Sequence, residues 1–164
     1  MKSTVGTWQL CFWSALWGHE LPIVENAVER FLYQEISVQF DEASTAGDAS
    51  GSLLTIHENG RFCQHGQGSS PVLTYDTDGV QVAGVAEFDG QIHDEGERSF
   101  LISDKVPTWA IPKDLAAQMR IRYDDGDTKV CDSAKFLDGQ LVRQISVVTD
   151  ELYGDRIVLV YNRG

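Results

Sequence analysis

Apolar and polar positions alternate with a period of two through most of this chain, the spacing of half-buried strands. Val5-Gly6-Thr7-Trp8-Gln9-Leu10 opens on that pattern and predicts a first strand over about residues 4–12. An aromatic-rich run, Phe12-Trp13-Ser14-Ala15-Leu16-Trp17, follows and is broken by Gly18. The period then lengthens. Over residues 21–34, Ile23, Val24, Ala27, Val28, Phe31 and Leu32 fall on one helical stripe, with Glu25, Asn26, Glu29 and Arg30 opposite and Pro22 suited to the first turn. This predicts a helix between the first and second strands, either packed on the sheet or lying over one mouth as a lid. Residues 35–40 return to alternation and predict a strand, and the small polar residues 41–51 predict a surface loop.

Beyond residue 51 the chain is punctuated by Asn59-Gly60, Asp78-Gly79, Asp89-Gly90, Asp125-Gly126 and Asp138-Gly139. Such pairs suit two-residue hairpin turns, because type I′ geometry needs positive φ at both central positions. Residues 104–118, with Pro107 and Pro112, read as a long connection ending in a short helical turn. The pattern as a whole predicts an all-β fold, an antiparallel up-and-down barrel of about 8–10 strands with one helix after the first strand. One domain, residues 1–164, accommodates it.

Counting outward from each turn gives cross-strand partners, and partners share a face. A two-residue Asn59-Gly60 turn sets Leu54, Ile56, Cys63 and His65 on one side. The next two turns group Leu73, Tyr75, Val82, Gly84, Ala86, Phe88 and His93. The Asp125-Gly126 and Asp138-Gly139 counts agree on a single apolar face of Met119, Ile121, Tyr123, Val130, Phe136, Leu141, Ile145 and Val147. Arg120, Arg122, Lys129, Lys135, Gln144 and Ser146 are then expected toward solvent. Ile157, Leu159 and Tyr161 of the last strand, residues 156–163, point inward on the same scheme. Two charged residues, Asp132 and Arg143, fall on the apolar face as diagonal neighbours. Burying either alone costs about 3–5 kcal/mol, so each requires the other or a bound group.

Charge narrows the range of partners. A formal net charge of −12 opposes nucleic acid and anionic membrane surfaces at long range. No apolar run approaches the roughly 20 residues of a membrane helix. The first residues also lack a signal-peptide pattern, so the expected location is intracellular, cytoplasmic or organellar if a targeting segment has been removed. Cys11, Cys63 and Cys131 are odd in number and widely spaced, which predicts reduced thiols. Neither they nor His19, His57, His65 and His93 show metal-ligand spacing, and no cofactor motif is present.

Gly6-Thr7-Trp8, the helix that follows, the hairpin meander and the terminal Val158-Leu159-Val160-Tyr161-Asn162-Arg163 together resemble the lipocalin-like (calycin) barrels. Asp150-Glu151-Leu152 followed by residues 158–163 is also weakly similar to the plastid-lipid-associated proteins (fibrillins), at the chain ends only. The resemblance implies structural roles for Trp8, plugging one barrel end, and for Arg163, lying across its indole. It also implies that a small apolar or amphipathic molecule is bound inside, or, as in a minority of such families, that an isomerase or cyclase works there without a cofactor. For binding, the candidate residues are Tyr75, Tyr123 and Tyr161 in the interior and Trp13, Trp17 and Trp109 near the mouth. For acid/base chemistry they are Asp132, His65 or His93 as proton carrier and Arg143 or a Tyr as the partner of an enolate or carbonyl oxygen. In a third reading the interior is packed solid and the Trp13/Trp17 patch is a protein contact.

Overall fold

The structure, a computed structural model, describes residues 4–36, 45–47, 52–66, 72–76, 79–83, 88–104, 121–122 and 128–164. Twelve strands and one helix follow in chain order. They are β1 (Gly6–Glu20), α1 (Ala27–Leu32), β2 (Thr45–Gly47), β3 (Ser52–Ile56), β4 (Arg61–Gly66), β5 (Val72–Asp76) and β6 (Gly79–Ala83). The remainder are β7 (Phe88–Glu95), β8 (Arg98–Ser103), β9 (Ile121–Arg122), β10 (Thr128–Leu137), β11 (Gln140–Thr149) and β12 (Tyr153–Arg163). Eight strands pair antiparallel in the order β1-β3-β4-β7-β8-β10-β11-β12, and β12 returns to β1, closing a barrel. β2 adds to the side of β1, β9 extends the pairing of β10, and β5–β6 form a separate two-stranded sheet. Among the described residues no helix is long and apolar enough to cross a membrane.

The barrel's inner face is lined by Trp8, Leu10, Ala15, Leu54, Ile56, Phe62, Ile92, Leu101, Val130, Leu141, Ile145, Ile157, Leu159 and Tyr161, all buried. One wall is buried on its outer face as well. Leu21, Phe31 and Leu32 cover Phe100, Cys131 and Val148, while Ile36 covers Val142, Val158 and Val160. This explains the unbroken apolar run of residues 157–161, since a strand buried on both faces has no reason to alternate. Arg156 fastens the cover. Its guanidinium lies 4.0 Å from the Phe31 ring centroid and donates to the Phe31 carbonyl, to Gln34 Oε1 at 2.8 Å and to Ser146 Oγ at 3.2 Å. Helix α1 is therefore a packing helix on the wall.

Several sequence expectations change. The first strand does not end near residue 12. It runs on to Glu20 as partner of β12, absorbing Cys11 and Gly18 in register shifts between Leu10 and Phe12 and between Leu16 and His19. The helix shortens to six residues because residues 21–26 form turns and Asn26, just before it, is left-handed at φ 65. Glu35 and Ile36 are not in a strand, and residues 37–40 lie outside the described residues. A short strand, β2, occupies part of the expected loop at 41–51 and pairs with β1. Lys129, Gln144 and Ser146 do not face solvent but are buried beneath the cover or against the β11–β12 turn. Of the long connection at 104–118 only Asp104 is among the described residues.

Turn by turn, the counting meets three outcomes. The β10–β11 hairpin has the expected register, Asp132 opposite Ile145 and Ala134 opposite Arg143. Ile121 stands opposite Val130 as counted, although the turn beyond it is outside the described residues. At β5–β6 the register moves by two, Tyr75 facing Val80, which leaves the grouping of faces unchanged. At β3–β4 the loop has three residues, not two. His57 and Arg61 are joined by an N–H···O bond of 2.8 Å, and Gly60 takes φ 84. Ile56 therefore faces Phe62, and Leu54 faces Gln64. Phe62 and Gln64 replace Cys63 and His65 on the inner face. Asp89-Gly90 is not a turn at all; the hairpin closes at Gly96-Glu97. Gly90 is a strand glycine against the Ile102 carbonyl, where no Cβ would fit.

Candidate functional site

The interior's polar cluster is assembled across the barrel, from the paired strands β10 and β11 and from β4, which is separated from β10 by β7 and β8. β10 supplies Asp132, β11 supplies Arg143 and β4 supplies Gln64, all pointing inward by register. Arg143 Nε donates to Asp132 Oδ1 at 2.8 Å and Nη2 to Oδ2 at 2.6 Å, a bidentate fork. Nη1 donates to Gln64 Oε1, and the Phe62 ring centroid lies 5.8 Å from the guanidinium carbon. Relative exposure is 0% for Arg143 and 3% for Asp132, so neither charge is relieved by bulk water. Bidentate geometry and the further acceptor on Gln64 are what such burial demands.

Tyr161 completes the cluster from β12. It is fully buried beside Arg143, and its hydroxyl has no hydrogen bond of good geometry among the described residues. Burial pushes its ionisation up, against the opposing pull of the Arg143 charge. The outer wall holds a second group of this kind, the Cys131 thiol, raised by burial from 9.0 to about 12. Both shifts have one sign for stability. Above pH 9 the unfolded chain releases the Cys131 proton while the folded chain retains it, so stability is full below pH 9 and falls above it. The urea midpoint is therefore expected to drop as pH rises beyond 9, and to drop less in Cys131→Ala. Equal slopes in the two proteins would contradict that burial.

At the barrel end where β1 begins and β12 finishes, Trp8 pairs with Arg163 in register. The guanidinium carbon stands 4.1 Å from the indole centroid, and Nη1 donates to the Val5 carbonyl at 2.6 Å. Trp8 is fully buried, donates Nε1–H to the Thr4 carbonyl at 2.7 Å and meets Phe136 edge-on at 6.0 Å. Gly6 takes φ 137, and a Cβ there would sit 2.5 Å from Arg163 Nη1. Glycine at this position thus admits both the backbone turn and the guanidinium.

The remaining candidates are dispersed. Trp13 is half-buried against the inner core, while Trp17 is 43% exposed beyond it. His93 pairs with Phe100, whose ring belongs to the outer cluster, so the expected inward placement is corrected to the outer face. His65 stands opposite Leu53, at a position alternating with that of Gln64. Tyr75 is on β5, in the separate sheet; Tyr123 and Trp109 lie outside the described residues. Gln64 and Phe62 were not anticipated, and a three-residue count at Asn59-Gly60 would have found both. Among the described residues no group of three His, Cys, Asp or Glu side chains could hold a metal ion. The closed barrel is compatible with a calycin-like fold. No protein-family model matches this chain and no curated protein matches it, so the site is read from its own geometry.

Proposed function

We propose that this protein binds a small amphipathic molecule inside the barrel, its polar end received by Tyr161 beside Arg143. The observation that carries the reading is the Tyr161 hydroxyl, fully buried beside the Arg143 guanidinium and making no hydrogen bond of full geometry among the described residues. An unmatched buried hydroxyl costs about 1–3 kcal/mol, and a ligand oxygen or N–H would remove that cost. Aliphatic walls with a few convergent polar groups are the usual make-up of a small-molecule site. Kinship to the calycin barrels, suggested by Gly6-Thr7-Trp8 and Arg163, points the same way. Because Arg143 and Tyr161 are closed to water, entry of a ligand is coupled to opening of the barrel mouth.

Acid/base isomerisation or cyclisation is the weaker reading. Both oxygens of Asp132 are held by Arg143, which leaves neither well placed to take a proton from a substrate. A panel of fatty acids, terpenoids and tetrapyrroles titrated against tryptophan fluorescence tests the proposal. At least one member should quench saturably, and Tyr161→Phe should weaken that ligand about tenfold. The same variant should fold nearly as stably as the parent, since the hydroxyl it loses makes no hydrogen bond of full geometry among the described residues. A panel without a saturable ligand, or a ligand indifferent to Tyr161→Phe, would overturn the reading.

A further inference from the structure

At the barrel end away from Trp8 and Arg163, the segment entering α1 and the β11–β12 turn enclose a groove of about 610 Å³. Its apolar surface is unusually bare: Ile23 is 95% exposed, Val24 56% and Leu152 45%. A single exposed aliphatic residue is ordinary, but three gathered around one groove are not. The backbone that carries Val24 and Leu152 is hydrogen-bonded. Leu152 donates its N–H to the Thr149 carbonyl at 3.1 Å, and its own carbonyl accepts from Leu21 N–H at 2.8 Å. Val24 N–H donates to the Pro22 carbonyl at 2.9 Å.

Non-glycine residues in the left-handed region border this groove: Asn26 at φ 65, Asp150 at φ 55 and Glu151 at φ 58. Each carries a conformational cost that only surrounding contacts maintain. The charge around the groove is one-sided. Among the described residues Glu25, Glu29, Asp150 and Glu151 line it, against one cation, Lys129, which is itself bonded to Glu151 at 2.8 Å. A second copy of the chain would bring an identical acidic rim against this one, and an anionic membrane would be repelled in the same way.

From this we infer that the groove docks a basic amphipathic peptide segment of another protein. Its aliphatic side chains would pack on Ile23, Val24 and Leu152, and its Lys or Arg residues would meet the acidic rim. This surface lies apart from the barrel interior and does not depend on the ligand proposed there.

A fluorescein-labelled peptide with leucine and lysine at helical spacing, read by anisotropy, tests the inference against a control with glutamate in place of lysine. The lysine peptide should bind the full chain and the glutamate peptide should not. Ile23→Ser with Leu152→Ser keeps every charge and removes only the apolar contact; it should weaken binding about tenfold. Neutralising Glu25, Glu29, Asp150 and Glu151 to their amides should weaken binding similarly and reduce its salt dependence. Amide chemical shifts should move at the groove and not at the Trp8 end. Lysine-peptide affinity unchanged by the serine pair would mean diffuse attraction to an acidic surface and would overturn the inference. So would equal binding of both peptides, failure of the lysine peptide to bind, tighter binding to phosphatidylcholine vesicles, or a dimer in sedimentation that the serine pair abolishes.

Discussion

Arg143→Met is expected to destabilise the fold by about 3–5 kcal/mol, read as a lowered urea midpoint by far-UV circular dichroism. The side chain is fully buried and satisfies both oxygens of Asp132. Removing it leaves a buried carboxylate without its bidentate cation, a state that protonation or partial unfolding would relieve. A double variant, Arg143→Met with Asp132→Leu, should recover most of the loss, because replacing a buried pair by apolar groups of similar size is often neutral. Should the single variant cost about 1 kcal/mol or less, the pair would have to be water-accessible, as exposed ion pairs are. Recovery in the double variant, together with loss of ligand binding, would separate the pair's contribution to binding from its part in the fold.

Trp8→Ala should have a comparable effect, about 3–5 kcal/mol, for a different reason. The indole fills the end of the barrel with zero exposure and carries contacts to Phe136, Arg163 and the Thr4 carbonyl. Alanine would leave a cavity that strands paired on both sides cannot collapse. Arg163→Ala removes only the lid and should cost about 0.5–1 kcal/mol, the range for a solvent-exposed cation held over an aromatic ring. In a double-mutant cycle the two effects should be coupled, since the second loses its partner once the first is made. Additive effects would mean that the guanidinium and the indole are neighbours without interacting.

Much of the barrel is legible in the residues, and each place where it is not has its own physical cause. The β10–β11 register was recovered because two turns, counted independently, placed the same side chains on one face. That agreement put Asp132 and Arg143 on the inner wall, where they stand. Asn59-Gly60 failed because the dipeptide also occurs with one extra loop residue, and a single added residue exchanges the faces of a whole strand. It hid Gln64 and Phe62, the neighbours of Arg143. Asp89-Gly90 failed because a glycine needed for close approach of two strands is identical, as a letter, to one needed for positive φ. The outer wall was misread for another reason. Gln144, Ser146 and Lys129 are polar, yet their hydrogen bonds go to Gln34, Arg156 and Glu151 and not to water. Alternation reports polarity, and polarity coincides with exposure only where nothing else covers the strand.

The pairing of the first strand with the last has a kinetic consequence. Arg163 donates to the carbonyl of Val5 across a sequence separation of 158 residues, and Gly164 N–H donates to Thr7. The hairpins β7–β8, β10–β11 and β11–β12 can form early from near neighbours, but the β1–β12 seam must wait until the strands between them are in place. During that wait both seam strands present unpaired edges rich in Leu, Val and Trp, the condition under which chains exchange strands or aggregate. Refolding yield should therefore depend on how fast the seam closes. A permutant that links β12 directly to β1, making the two neighbours in sequence, would shorten that step.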